Sequence, residues 1–371
     1  MMEADVCIVG GGIMGLAVAH ALAKASKLQL LIIDRHGLGN EYCASNDFGR
    51  IFCYANGARR RHTQMAIESL KLWRELEQES GEELFVPSGF LALEGETARG
   101  TKFISQSYET LDGLGLPVEL LEEAELRVRF PQFRAKGGLL DPGAGVLLAA
   151  RALGVYRSML GQWGVNVLEG EKVVRLDLSG RPEVETEGGR RIRCRKVVLT
   201  PGAWSNSLLR EGLVRVTPTR QQVIYLRPTG DSLRFRPGRF PIFTVDKYYG
   251  IPIAGADGVK VGYHGTPEEV DPDLVLRTVD SEAIEACRSV VHRYVPELAD
   301  SEVVRTKVCL YDMTENKNFV IGADPECRDV IYGYGFSGNG FKFAPLVGRL
   351  LAELVLEKPP SIRLDRLSPV R

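Results

Sequence analysis

Long apolar runs are missing from this 371-residue chain. No stretch approaches the roughly 20 residues that a membrane-crossing helix requires, so no membrane partner is expected. Histidine is scarce: the five present never pair at metal-ligand spacing, and Cys7, Cys43, Cys53, Cys194, Cys287, Cys309 and Cys327 form no C-x-x-C. No metal site is predicted, and an odd set of thiols fits a reducing compartment. A strong charge of either sign is lacking too, since the formal net charge is -1. The one basic run, Ala58-Arg59-Arg60-Arg61-His62, is too short to track a nucleic-acid backbone, which removes nucleic acid as a partner. Its plainest reading is a solvated helix start, and the alternative is a border to an anionic ligand. Met1 to Asp5 carry neither a basic region nor a small-residue cleavage site before an apolar strand begins, so the expected location is cytoplasmic.

With 44% hydrophobic and 26% charged residues, the composition is that of a chain that folds throughout. Its length exceeds one ordinary core, so two domains are expected, contiguous or interleaved.

The clearest signal lies near the start. Asp5-Val6-Cys7-Ile8-Val9 reads as a buried strand and runs into Gly10-Gly11-Gly12-Ile13-Met14-Gly15, followed by the helical LAVAHALAKAS. Such a G-x-G-x-x-G turn between strand and helix lets backbone approach a pyrophosphate, and the helix N-terminus offers free N–H groups and a positive dipole end. A second strand, LQLLIIDR, ends at Asp34 and Arg35, where a carboxylate would accept adenosine ribose hydroxyls. The fingerprint alone leaves NAD and FAD open. The long connection over residues 36–62 interrupts regular strand-helix alternation and favours a flavoprotein.

Further along, residues 62–79 place Ala66, Leu70, Trp73 and Leu76 on one helical face, so Trp73 is predicted in the core. SGFLALEG reads as a strand, residues 97–112 and 118–129 as helices, and GVLLAARALGVYRSMLGQWG as one helix. Lys196 to Leu199 form a buried strand ending in Pro201-Gly202-Ala203, and residues 213–264 are strand-rich with Pro and Gly punctuation. A helix near 280–294, a strand around Cys309, and a final strand, glycine turn and long helix complete the pattern.

Taken together, the glycine fingerprint, VVLTPGAW, YYGIPIAG, KVGYH, CLY and GFSGNGFKF occur in an order that resembles the monomeric sarcosine oxidase and N-methyltryptophan oxidase branch of the D-amino-acid-oxidase-like flavoproteins. The resemblance spans nearly the whole chain. It implies an α/β fold, α+β overall: a doubly wound, Rossmann-like FAD-binding domain interleaved with an antiparallel-sheet substrate domain. Residues 1–80, 140–212 and 310–371 would form the first, and 81–139 and 213–309 the second. Gly10, Gly12, Ile13, Met14, Gly15, Asp34, Arg35, Gly338, Gly340 and Lys342 would contact FAD, with Cys309 carrying it through an 8α-thioether bond. Lys260 matches the lysine that promotes reaction with oxygen, and Lys342 matches the one that holds the substrate carboxylate. Tyr249, His264 and Tyr311 match residues around the bound amine, and Arg50 matches an arginine near the flavin. The partners implied are a small-molecule amine and O2, and a monomer is expected by analogy.

The chain also departs from that pattern. An arginine that helps clamp the carboxylate in sarcosine oxidases is replaced by Cys53, which supplies neither charge nor a bidentate fork. Histidines common near Asn46 and Asn339 are absent as well. Sarcosine itself is therefore not the expected substrate: either another arginine, Arg59 or Arg60, reaches the site, or the substrate lacks the usual small amino-acid shape, and a larger or cyclic secondary amine is favoured. The leading reading is an FAD-dependent oxidase of a secondary amine or amino acid, giving an imine and H2O2. A flavin-dependent dehydrogenase or imine-forming biosynthetic enzyme with another electron acceptor, and a noncatalytic flavoprotein, are the alternatives.

Overall fold

The structure, a computed structural model, describes residues 2–255, 257–265, 268–365 and 367–370. Met1 and Arg371, the ends of the segments assigned to the first domain, lie outside the described residues.

One sheet grows from the N-terminal strand Met2–Val9, whose alternate residues face two different cores. It pairs in parallel with Leu30–Asp34 on one side and Arg191–Leu199 on the other; Leu30–Asp34 pairs in turn with Asn166–Glu169. Val330–Tyr334 adds in parallel to the C-terminal half of Arg191–Leu199. Near-continuous apolar strands such as LLIID are what burial on both faces requires. Helices Ile13–Ala25 and Ala344–Val355 share one core on one face of this sheet, with Leu16 and Leu350 both fully buried.

The second sheet runs Glu302–Met313, Thr217–Arg227, Val259–Tyr263, Tyr248–Ile251, Ile242–Val245, Phe90–Leu93, Gly137–Asp141 and Glu119–Glu122. Its pairings are antiparallel except one: Ile242–Val245 lies parallel to Phe90–Leu93. Those strands belong to separate passages of the chain, so no hairpin constrains their relative direction. A small third sheet joins Gly49–Phe52, Gly145–Leu148 and Phe85–Pro87.

Three local expectations are corrected. Gly145–Leu148, read as the start of a helix, is a strand, and the helix begins at Ala149. A short apolar run suits either state, and pairing with Gly49–Phe52 decides it. Likewise Glu119–Glu122, read as helical, is an edge strand ahead of the helix Glu123–Arg129. The basic run is not uniformly solvated: the helix Arg60–Ser80 starts inside it, His62 is buried and Arg59 half-buried.

Trp73 is fully buried, stacked 5.8 Å from Phe341. A ring buried to that degree stabilises the fold by about 1.5–3 kcal/mol. Its indole N–H has a further task at the site.

Candidate active site

A single cavity of about 520 Å³ runs from the glycine turn of the first sheet to the strands of the second. Gly10, Gly12, Ile13, Met14, Asp34 and Arg35 line one end; Arg50, Tyr249, Lys260, His264, Cys309, Tyr311, Gly338, Gly340 and Lys342 line the other. The residues expected to hold the cofactor or act in catalysis therefore meet in one space, except Gly15. That glycine is not among the lining residues: a Cβ there would sit 1.8 Å from the Gly10 carbonyl oxygen, so its absence lets the helix close on the turn.

At the first end Asp34 accepts from the backbone N–H groups of Gly11 (2.7 Å), His36 (2.8 Å) and Gly37 (2.8 Å). It thus braces both the glycine turn and the loop after its strand while still facing the cavity. Arg35 stacks over Trp204 at 5.1 Å and pairs with Asp273, whose backbone belongs to the connection following the second sheet's Val259–Tyr263. The Ser45 hydroxyl accepts from the Ile13 N–H at 3.1 Å, which ties the long connection to the helix start.

Lys260 is 3% exposed, and its ammonium donates to Asp47. Asp47 also takes a charge-assisted bond from Arg50 and one from the Tyr225 hydroxyl. Burial alone would push the Asp47 carboxyl up, but Lys260 and Arg50 together hold it well below the usual carboxylate range. Burial pulls Lys260 down, against the opposing pull of Asp47. Sequence reasoning missed Asp47; its only local mark is the three-residue spacing to Arg50.

Cys309 lies in mid-strand opposite Gln221, buried but lining the cavity. Burial raises its thiol, and Arg50, Lys260 and Lys307 act the other way. Those cations are the neighbours a thiolate would need.

Lys342 is 5% exposed, and among the described residues its ammonium donates only to neutral acceptors: Asn56 Oδ1 at 2.8 Å, Cys53 O at 3.3 Å and Cys53 Sγ at 3.5 Å. Its backbone is pinned, since its carbonyl accepts from Ser69 Oγ at 2.6 Å and Trp73 Nε1 at 3.0 Å. Asn56, Ser69 and the anchoring role of Trp73 were not read from the sequence. Asp141 acts on Lys342 electrostatically; its Oδ2 accepts from the Tyr54 and Ala55 N–H groups, its Oδ1 has no hydrogen-bond partner among the described residues, and burial pushes its carboxyl up to about 6.

Between the two lysines sit aromatic groups. Tyr249 and Tyr311 lie close enough to influence each other, and the His264 ring lies 5.5 Å from that of Tyr311. Gly338, at φ 76°, passes so close that a Cβ would stand 2.3 Å from the Tyr311 ring. Burial, then the cations Lys317, Arg99, Arg59 and Lys342, push His264 down to about 4, so it is neutral at physiological pH. Of the two arginines expected to replace the missing one, Arg59 lines the cavity, whereas Arg60 donates to Gly113 O at 3.1 Å and does not. Asn46 accepts from Lys307, and Asn339 donates to Ser337 O at 3.0 Å while lining the cavity.

The geometry suits a flavin dinucleotide. The cavity is continuous from a glycine turn at a helix N-terminus to a group of cations and a thiol, the order in which pyrophosphate and isoalloxazine would be met. Among the described residues no group of three or more His, Cys, Asp or Glu side chains could hold a metal ion. No helix among them is long and apolar enough to cross a membrane.

Residues 5–354 match the family of FAD dependent oxidoreductases, DAO. The chain is 32% identical over 366 residues to the monomeric sarcosine oxidase of Bacillus sp. (strain B-0618), covering 95% of this chain and 92% of that one. It is 31% identical over 375 residues to the peroxisomal sarcosine oxidase of Homo sapiens, covering 97% and 94%. The solved structure of glycine oxidase from Geobacillus kaustophilus shares the fold, with a TM-score of 0.88 and 23% identity over 100% of this chain and 99% of that one.

Proposed function

Because the chain belongs to the DAO family of FAD-dependent oxidoreductases, we propose that it oxidises a secondary amine or N-substituted amino acid to an imine, with dioxygen as electron acceptor. The observation that carries this reading is Lys342, a buried ammonium whose hydrogen-bond acceptors among the described residues are all neutral, in the cavity that also holds Lys260 and Cys309. Such an ammonium is completed by an anion, and a carboxylate is the anion that an amino-acid substrate brings.

FAD held against the glycine turn, Asp34 and Arg35 would supply the two-electron acceptor that protein side chains lack. Lys342 anchors the substrate carboxylate, while Tyr249, Tyr311 and neutral His264 orient the amine so that its reacting C–H bond is presented correctly. In net terms the amine gives up two electrons and two protons to become an imine, and dioxygen takes them up as hydrogen peroxide. Lys260 places a fixed positive charge where oxygen gains negative charge, and Arg50 adds a second. Asp47 keeps both cations in position.

In this reading the segments 1–80, 140–212 and 310–371 form the cofactor domain and 81–139 and 213–309 the substrate domain, with Cys309 reaching the cofactor from the second and Tyr311 and Lys342 reaching the substrate from the first. Cys309 is the proposed point of covalent attachment: acid precipitation should leave the yellow colour in the pellet, and a yellow supernatant over a colourless pellet would remove that role. The function itself is tested by anaerobic absorption spectra with sarcosine, L-proline, L-pipecolate and N-methylated amino acids. Bleaching by at least one of these, with rapid recovery in air, is expected. A spectrum that no amine bleaches would overturn the proposal, and bleaching with slow recovery would move the enzyme to another electron acceptor.

A further inference from the structure

The cavity wall beyond Tyr311 and His264 carries more positive charge than one substrate carboxylate and the cofactor require. Arg59 stands at the N-cap of Arg60–Ser80, Arg99 in the first turn of the helix Ala98–Asp112, Lys247 in the turn between Ile242–Val245 and Tyr248–Ile251, and Lys317 after Glu302–Met313. All four line the cavity with Lys342. The elements that bear them converge from distant parts of the chain: Arg59 donates to Lys317 O, 258 residues away, and His264 N donates to Lys247 O at 2.6 Å.

Among the described residues no carboxylate forms an ion pair with these cations. Burial lowers Arg59, and Arg99 adds to the effect; burial lowers Lys317, helped by Arg99, Arg59 and Lys247. Each therefore disfavours its neighbours' charge, and none forms an ion pair with a carboxylate among the described residues. The carboxylate lining the same wall, Asp246, is already held by the N–H groups of Glu96 (3.2 Å) and Thr97 (3.1 Å) and by the Thr97 hydroxyl. Buried His62, on the same wall, has an Nε2 with no hydrogen-bond partner among the described residues. The contrast with the other end is direct, because there Arg35 and Lys172 both pair with Asp273.

We infer that the substrate carries two anionic groups, one carboxylate at Lys342 and a second at Arg59, Lys317 and Arg99 nearer the mouth. This deepens the amine-oxidation reading and rests on it: the substrate class is an N-substituted amino acid with an acidic side chain or acidic N-substituent. A cleft lined by one sign of charge concentrates ligands of the other sign, and a neutral analogue leaves the cations without partners. The exposure gradient fits a ligand entering acid-first, since Lys342 is buried, Arg59 and Lys317 half-buried and Arg99 exposed.

The test uses the flavin-loaded enzyme and two ligands that cannot be oxidised, glutarate and its monoamide glutaramate, with affinity read by calorimetry and by the flavin spectrum. Glutarate should bind at least tenfold more tightly. The Arg99→Gln/Lys317→Gln pair should reduce that preference about tenfold, and Lys317→Arg should retain it. Equal affinities, or a preference unmoved in the double variant, would overturn the inference. The second arm compares N-methyl-L-glutamate with N-methyl-L-glutamine in anaerobic flavin reduction, where the acid should be favoured by the same factor and equal rates would count against it. A glutarate preference without reduction by any amine would leave the second anion site standing and remove the amine-oxidase reading alone.

Discussion

Two groups of cations share one cavity, and they are built in opposite ways. Lys260 and Arg50 close on a buried carboxylate, Asp47, that belongs to the protein. Among the described residues Lys342, Arg59, Arg99 and Lys317 form no ion pair; Asp141 acts on Lys342 from a distance, and Arg59, Arg99 and Lys317 act on one another. A cation paired internally is fixed and keeps its charge through a reaction cycle, whereas an unpaired one gains its partner when a ligand arrives. The first arrangement suits a permanent electrostatic wall and the second suits recognition.

The sharpest way to break this contrast is Asp47→Asn. It leaves buried Lys260 and half-buried Arg50 facing a neutral amide, and removing one member of a buried ionic group costs about 3–5 kcal/mol. Chemical unfolding of the variant should show a loss of that size; a loss below about 1 kcal/mol would mean that the carboxylate does not organise the group.

Lys342→Met comes next. Without the ammonium, a carboxylate-bearing amine should bind about 10- to 100-fold more weakly in anaerobic titrations, in line with loss of a charge-assisted bond. An amine without a carboxylate should lose much less. Equal losses would mean that Lys342 shapes the cavity without reading the anion.

The smallest effect expected is in pH dependence. His264 faces Lys317, Arg99, Arg59 and Lys342 and is held down at about 4, below the ordinary value of 6.5. Between those values the unfolded chain binds the proton more readily, so the contribution is full above pH 6.5 and is lost as pH falls toward 4. His264→Gln removes this loss: the drop in stability from pH 7.5 to pH 5 should be smaller than in the parent by about 1–2 kcal/mol. An unchanged drop would place the imidazole in contact with solvent. Asp312, pushed up to about 6 by burial, acts in the opposite sense over the same range, so the comparison must be made between variant and parent at each pH.

The parts of this design differ in how far they can be read from the chain itself. The turn Gly10 to Gly15 was legible because strand, glycines and helix are contiguous and their chemistry is local. Lys260, Tyr249, Tyr311, Cys309 and Lys342 stand out through motifs that resemble a family. Asp47 does not, since nothing in Asn46-Asp47-Phe48 indicates that Lys260, 213 residues on, will meet it. Arg59 and Lys317 are separated by 258 residues, and only the closing of the second sheet against the helix start puts them on one wall. Trp73 was correctly expected in the core, yet its bond to the Lys342 carbonyl is a tertiary fact that helical periodicity does not carry. The strand Gly145–Leu148 was misread for the same kind of reason: its apolar run is ambiguous until Gly49–Phe52 and Phe85–Pro87 are beside it.

The division of labour between the two groups is tested most directly by stopped-flow measurement of both half-reactions in Lys260→Met and Lys342→Met. Lys260→Met should slow reaction of the reduced enzyme with oxygen by about 10²-fold or more, the scale of losing one preorganised electrostatic contact, and should leave anaerobic reduction by amine much less affected. Lys342→Met should do the reverse. If both variants slow the same half-reaction, the paired and unpaired cations do not have separate tasks.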